Sequence, residues 1–560
     1  MPNLFLPSPF KASFIQNVTA NKMILFVSCY FVVVFNLSFL FKTYNAVLLL
    51  DSYNLFFLLS IPILLFNTMI IFFATFSVKY LLKPTLILFT LASSFITYAT
   101  VSYGIVFDYG MIENTMETSS SEAFTYLNVN AFLVVTALSI LPIIYLINVN
   151  IIYKPLKPEF LQRLKLISAS TLSIFFIAFV FYADYASVGR NNRELTSYIT
   201  PLKSVVSGYK YIRNNYFNDP VEFKILDTSP VLLTQHEEGK RVILMVVGET
   251  ARAESFSLNG YGKPTNQFTR IHHPISFKSM SSCGTATAVS VPCMFSALGR
   301  NEYQKQTAIN QQNLLDIVKL ANVDVLWLDN NEGCKGVCNR VTTINTDKSK
   351  ADKLCDGDYC FDEILLSPLK NKLANLTHQT TLIVLHLIGS HGPTYYRRYP
   401  ANFSKFLPDC KRSDIQNCTQ EQIINTYDNT IVYSDYVLSK MIEELSLLDE
   451  MINVETSMIY VSDHGESLGE NGLYLHGFPY ALAPEQQTHI PMLFWASNKN
   501  TVNNHCLNDL ADNAFSHDNI FHSVLGLTKV QSKAYNPNLD IFHQCNTRDL
   551  LTKNTPHIRS

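Results

Sequence analysis

The sequence predicts a five-helix transmembrane domain followed by an α/β domain with a mainly parallel central sheet. Three observations lead there. Leu, Ile, Phe and Val crowd residues 1–185, while the remainder has an ordinary water-soluble mix. All but one of the 11 cysteines lie in that soluble half. Arg241–Gly248 is a run of β-branched and aliphatic residues that stops at a glycine and delivers a carboxylate, Glu249. Such a run reads as a strand buried on both faces, as in a parallel sheet. At 560 residues the chain exceeds one ordinary core, so at least two domains are expected. The net charge of -2 supplies no attraction for nucleic acid.

Taken in order, five segments reach the roughly 20 apolar residues that a bilayer span needs: 23–41, 53–76, 85–107, 129–149 and 166–184. The first is long and lacks a small-residue exit, so it is expected to stay as an anchor rather than be cleaved. Lys11 and Lys22 precede it, Lys79 and Lys83 separate the second and third spans, and Lys154, Lys157, Arg163 and Lys165 separate the fourth and fifth. The opposite loops carry Lys42 with Asp51, then Asp108, Glu113, Glu117 and Glu122. The positive-inside rule places the N-terminus in the cytoplasm and everything after residue 185 outside. Arg190 and Arg193 on the outer side oppose this mildly. The expected domains are 1–185 in the membrane, 186–238 as an interfacial helix and linker rich in tyrosine, and 239–560 as the outer domain.

In the loop 108–128, Asn114, Thr118 and Glu122 are spaced i, i+4, i+8 and share one face of a helix. From spacing alone a solvated polar loop is the plainer reading; the other is a polar rim that meets a lipid headgroup. From residue 241 onward, strand candidates at 241–248, 322–328, 380–387, 457–461 and 490–495 alternate with helical stretches such as 310–320 and 420–446. The outer cysteines fall mostly in close pairs, Cys283/Cys293, Cys334/Cys338, Cys355/Cys360 and Cys410/Cys418, with Cys506/Cys545 left over. Their spacings do not match a zinc knuckle, so disulfides and an oxidising compartment are expected.

Open α/β sheets bind ligands at the carboxyl ends of their strands. Three such ends here deliver Glu249, Asp463-His464 and His391. Asp463 and His464 lie side by side before Gly465, and with Glu249 they make an oxygen and imidazole set that suits zinc. A hydroxyl on that ion becomes a nucleophile near neutral pH, and the candidates are Thr285 and Thr287 in Cys283–Ser290. A helix starting near Thr287 would add N–H groups for a phosphoryl oxygen; the plainer alternative is that both are turn and cap hydroxyls. Lys335, His391 and His476 are outlying groups suited to spread negative charge. His386, facing into strand 380–387, is expected to be structural.

VVGETARAESFSLNGYG, CGTATAVSVPCMF, LHLIGSHGPTYYRRYP and VSDHGESLGENGLYLHG occur in this order. Together they resemble the lipid A phosphoethanolamine transferases, the EptA and MCR-type polymyxin-resistance enzymes, over nearly the whole chain. The resemblance implies an alkaline phosphatase–sulfatase fold facing the periplasm from the bacterial inner membrane. It implies Zn2+ held by Glu249, Thr287, Asp463 and His464, with Thr287 also the nucleophile and Thr285 the weaker choice. It implies that Lys335, His391 and His476 bind the phosphoethanolamine phosphate or a second zinc. It turns the reading of Asn114, Thr118 and Glu122 toward the donor headgroup, and ten outer cysteines fit members with five disulfides. The implied reaction takes phosphoethanolamine from phosphatidylethanolamine through a threonine adduct to lipid A or lipooligosaccharide. The sequence itself gives no reason to expect an oligomer or a nucleic-acid partner, so a monomer is expected. The same motifs serve transfer to a core sugar, a periplasmic glucan or another envelope glycan. A hydrolase using water is disfavoured by the anchor and by the lack of a CxPxR-type sulfatase motif, and a non-catalytic sensor by the intact site set.

Overall fold

In a computed structural model of the protein the described residues are 17–48, 54–118, 120–217, 222–233, 239–348, 353–452 and 454–546. Contacts divide the chain into two compact units, Met1–Ile112 with Val129–Ile212, and Glu113–Asn128 with Arg213–Ser560. These limits differ from the expected 185 and 238. Part of the expected linker packs with the first unit, and the segment 113–128 packs with the second.

The first unit is helical. Leu55–Thr75, Leu82–Tyr103, Val129–Asn148 and Leu156–Val180 are long and apolar enough to cross a bilayer. A fifth span exists if the pair Ala20–Phe35 and Leu37–Leu48, bent by 62°, counts as one. The bend has a local cause. Phe31–Phe35 is a π-turn, and the buried Asn36 side chain then donates to the Phe31 carbonyl at 2.9 Å and the Thr200 carbonyl at 2.7 Å. A π-bulge with a polar side chain serving backbone groups is a recognised source of helix kinks. The span expected at 166–184 begins earlier, at Leu156 after Pro155. Hydropathy discounts its charged opening turns, whereas Arg163 and Glu159 pair there at 2.5 Å. Phe31, Met69, Phe73 and Leu86 belong to one buried cluster within the unit. The expected loop 108–128 is two short helices, Tyr109–Glu117 and Ser120–Tyr126.

The second unit is built on one eight-stranded sheet. Its strands are β1 Arg241–Gly248, β2 Ile275–Ser281, β3 Asp324–Asp329, β4 Thr342–Asn345, β5 Thr380–His386, β6 Glu455–Ser462, β7 His489–Ala496 and β8 Ala514–Ser516. The order is β8-β2-β7-β6-β1-β5-β3-β4. Only β7 runs against the rest, being antiparallel to both neighbours. Every residue of β1 and β5 is buried, which is why both read as continuous apolar or β-branched runs. β2, β4 and β8 escape sequence reading because they are short or only partly buried and carry Ser, Thr and Asn.

β1 lies between β5 and β6, with Gly248 opposite Ser462 and Val247 opposite His386. Glu249, Asp463 and the Gly389 turn therefore leave the sheet at one edge. The 33-residue helix Gln420–Ile452 packs against β6. Five disulfides join Cys283–Cys293, Cys334–Cys338, Cys355–Cys360, Cys410–Cys418 and Cys506–Cys545.

Candidate active site at the carboxyl edge of the sheet

Two glycines let the backbones at this edge approach closely. Gly389 adopts φ +47°, and a Cβ there would stand 2.7 Å from the Glu249 carbonyl oxygen. A Cβ on Gly465 would stand 2.0 Å from the Gln486 carbonyl oxygen. Behind Glu249, Thr250 holds a left-handed φ of 51°, which aims its N–H at Asp463 Oδ1, 3.1 Å away. The His464 N–H donates to the same oxygen at 2.7 Å.

Asp463 thus commits one carboxylate oxygen to two backbone donors. Its other oxygen, Oδ2, is buried and takes no hydrogen bond. His464 directs Nδ1 to the Gly465 carbonyl at 2.9 Å, which turns Nε2 toward the carboxylates, 3.3 Å from Asp463 Oδ2 and 3.5 Å from Glu249 Oε1. Fixing one ring nitrogen so that the other faces a metal is the usual support for a histidine ligand. The donor atoms of Glu249, Asp463 and His464 lie within 4.8 Å of one another, and all three residues are buried.

Thr287 completes the group. It is the first residue of the helix Thr287–Met294, as its place after Ala286 suggests. Its hydroxyl lies 3.1 and 3.2 Å from the two Glu249 oxygens and 3.3 Å from His464 Nε2. The Cys283–Cys293 disulfide ties the turn before this helix to its last turn. Thr285 is turned elsewhere, donating to the Phe478 carbonyl at 2.6 Å.

Two buried carboxylates at one spot are costly without a cation. Burial, and next the Asp463 charge, push the Glu249 carboxyl well above its usual range. Burial also pushes the His464 imidazole below its ordinary value, keeping a neutral ligand form available. The orphaned Asp463 oxygen and the oxygen and imidazole donors fit a divalent ion such as zinc.

Lys335, His391 and His476 line one small cavity with Thr287. Asn114 and Thr118 line it too, alongside Glu117, Asn331 and Glu332. The Glu122 side chain lies outside the described residues. Lys335 sits at φ 50° in the loop closed by Cys334–Cys338. The His391 and His476 rings are 5.4 Å apart, and those of His464 and His476 4.6 Å. Burial, with the nearby His476 and Arg398 charges, pushes the His391 imidazole well below its ordinary range.

Sequence reading missed the groups that hold this site. Asn331 donates to Glu249 Oε2 at 2.7 Å and to the Leu387 carbonyl at 2.8 Å. Behind it stand His386, 3.2 Å away, and Asp329, 3.2 Å from His386 Nδ1. His386 is therefore not in the first ring of the site but supports a residue that is. Glu466 accepts from Tyr395 at 2.5 Å and lies 2.9 Å from His476 Nδ1. With His464 and His476 it makes a second buried set of metal-capable donors. Glu466 stands in the SDHGE stretch and could have been found there; Asn331 follows a strand end but carries no local pattern.

A sulfatase family profile matches residues 241–530, and a profile described as phosphoethanolamine transferase EptA/EptB matches residues 65–216. Over 531 residues the chain is 40% identical to the phosphoethanolamine transferase EptA of Escherichia coli K12, covering 93% of this chain and 96% of that one. It is 35% identical to the phosphatidylethanolamine transferase Mcr-1 of Escherichia coli, covering 85% and 88%. The fold superposes on the integral membrane lipooligosaccharide phosphoethanolamine transferase A of Neisseria meningitidis with a TM-score of 0.90 at 36% identity, covering 95% of this chain and 99% of that one.

Proposed function

The chain belongs to the phosphoethanolamine transferase family, and on that premise we propose that it moves phosphoethanolamine from phosphatidylethanolamine to lipid A or lipooligosaccharide through Thr287. The observation that carries this reading is the convergence of Glu249, Asp463 and His464 on the Thr287 hydroxyl, with an unpartnered carboxylate oxygen among them. Glu249, Asp463, His464 and Thr287 would hold the ion, which we take to be zinc. When bound, it lowers the pKa of a coordinated hydroxyl and offsets charge on phosphoryl oxygens.

The chain's own groups do the remainder. Glu249 accepts the Thr287 hydroxyl proton in a hydrogen bond. Thr287 Oγ1 attacks the phosphorus of the lipid diester as its proton passes to Glu249, the bond from phosphorus to the diacylglycerol oxygen breaks, and that oxygen takes up the proton so that diacylglycerol leaves as an alcohol. An acceptor phosphate oxygen then attacks the adduct, and the Thr287 hydroxyl is restored. Lys335, His391 and His476 face the phosphoryl group, where donors and positive charge favour the transition state. Asn114, Thr118 and Glu122 contact the donor headgroup.

The protein works as a monomer in the bacterial inner membrane without nucleic acid, its N-terminus cytoplasmic and its catalytic residues periplasmic. Its functional parts are the membrane domain 1–185, the linker 186–238 and the catalytic domain 239–560, with 113–128 serving the catalytic part. The added ammonium lowers the negative charge of the outer surface and weakens attraction of cationic peptides such as polymyxin.

Mass spectrometry of lipid A from cells with and without the protein tests this reading. A gain of one phosphoethanolamine mass is expected with the wild type, and none with Thr287→Ala at equal membrane abundance. Full transfer by Thr287→Ala would refute the role of Thr287. Unmodified lipid A with modified core sugar or glucan would redirect the acceptor.

A further inference from the structure

The helical unit contains a cavity of about 530 Å³ lined by Lys79, Tyr80, Lys83, Ile87, Asn150 and Tyr153. We propose that this cavity binds the phosphate of an anionic phospholipid, as a site separate from the one that consumes the donor lipid. Its volume falls within the ~300–1,000 Å³ usual for small-ligand sites. Its lining combines what such a lipid requires, two ammonium groups together with Ile87 and the tyrosine rings.

Lys83 Nζ donates to the Ile147 carbonyl at 3.2 Å, and an ammonium retains two more donors. Lys79 Nζ lies 5.0 Å from the centre of the Tyr80 ring. Among the described residues neither lysine has an ion-pair partner. Tyr80 is 82% exposed and holds a φ of 72° in the turn between Leu55–Thr75 and Leu82–Tyr103, a conformation bulky residues seldom adopt.

The place is equally specific. The cavity lies where Leu55–Thr75 passes to Leu82–Tyr103 and where Val129–Asn148 ends, so it opens at the ends of membrane-length helices. Basic pockets between such helices favour anionic headgroups. Assigning this face to the cytoplasmic leaflet rests on the orientation proposed above; the binding itself does not.

Native mass spectrometry of the full-length protein, released from nanodiscs of phosphatidylethanolamine with a minor fraction of phosphatidylglycerol, tests the proposal. The wild type is expected to retain phosphatidylglycerol selectively. Lys79→Ala with Lys83→Ala should weaken retention by about 30-fold, the product of two cationic contacts near a membrane surface. The paired Arg variant should retain it, and so should Thr287→Ala, which separates this site from the catalytic reading. If the Ala pair does not fold, Lys79→Gln at the exposed lysine should still weaken retention. Equal retention by wild type and a folded lysine-free variant would overturn the proposal. So would complete displacement by millimolar inorganic phosphate, which marks a simple anion site.

Discussion

Asn331 shows how a residue with no part in the chemistry can govern it. Its amide holds Glu249 Oε2 at 2.7 Å, and loss of such support commonly weakens a metal site by ~10–100-fold. Asn331→Leu should therefore release the metal to a chelator at a correspondingly lower concentration, with helix content unchanged by circular dichroism. Deeper in the same chain of contacts, burial opposes the Asp329 charge, but the facing His386 and a hydrogen bond from the Trp327 indole prevail and hold its pKa at about 2. A depressed carboxyl stabilises the fold above its unfolded value, and that stability is lost as pH falls from ~4 toward 2. Its size is about 2–3 kcal/mol. Acid unfolding should lose that pH dependence in Asp329→Asn. Only His386 was marked beforehand, as a structural residue; its partners were not legible, because hydrogen-bond partners far apart in sequence leave no spacing to read.

The helix Tyr109–Glu117 needs an anchor beyond its own nine residues, since so short a helix is marginal alone. Lys305 supplies one, lying 3.4 Å from Glu113 and also paired with Glu117. Glu113 is only 4% exposed; burial raises its carboxyl pKa while Lys305 lowers it. Removing one partner of a buried pair costs about 3–5 kcal/mol, because the other charge is stranded. Lys305→Met should thus loosen the helix that brings Asn114 and Thr118 to the cavity. Steady-state assays with phosphatidylethanolamine should show KM raised tenfold or more, with a smaller fall in kcat. Adding Glu113→Gln should recover part of the loss. The i, i+4 spacing exposed the face that Asn114 and Thr118 share, but the partner 190 or so residues later was invisible, as charge pairs across a fold have no sequence period.

At the scale of the whole molecule, the orientation inferred from loop lysines has a direct test. A C-terminal reporter that matures only in the cytoplasm should stay dark, and one active only in the periplasm should work; the reverse result would place the catalytic edge on the wrong side for its lipid substrates. The sequence alone determined the apolar spans, the buried central strands and the three strand ends bearing Glu249, Asp463-His464 and His391, because burial on both sides of a strand or within a bilayer demands continuous apolar residues. Sequence proximity likewise indicated four of the five disulfides, leaving Cys506 and Cys545 as the remainder. Tertiary structure alone decided the break at Asn36, the partly polar strands β2, β4 and β8, the attachment of 113–128 to the catalytic unit, and the supports Asn331 and Lys305. Those features depend on which distant groups meet, and a buried polar side chain is placed by partners that only the folded chain brings within hydrogen-bonding distance.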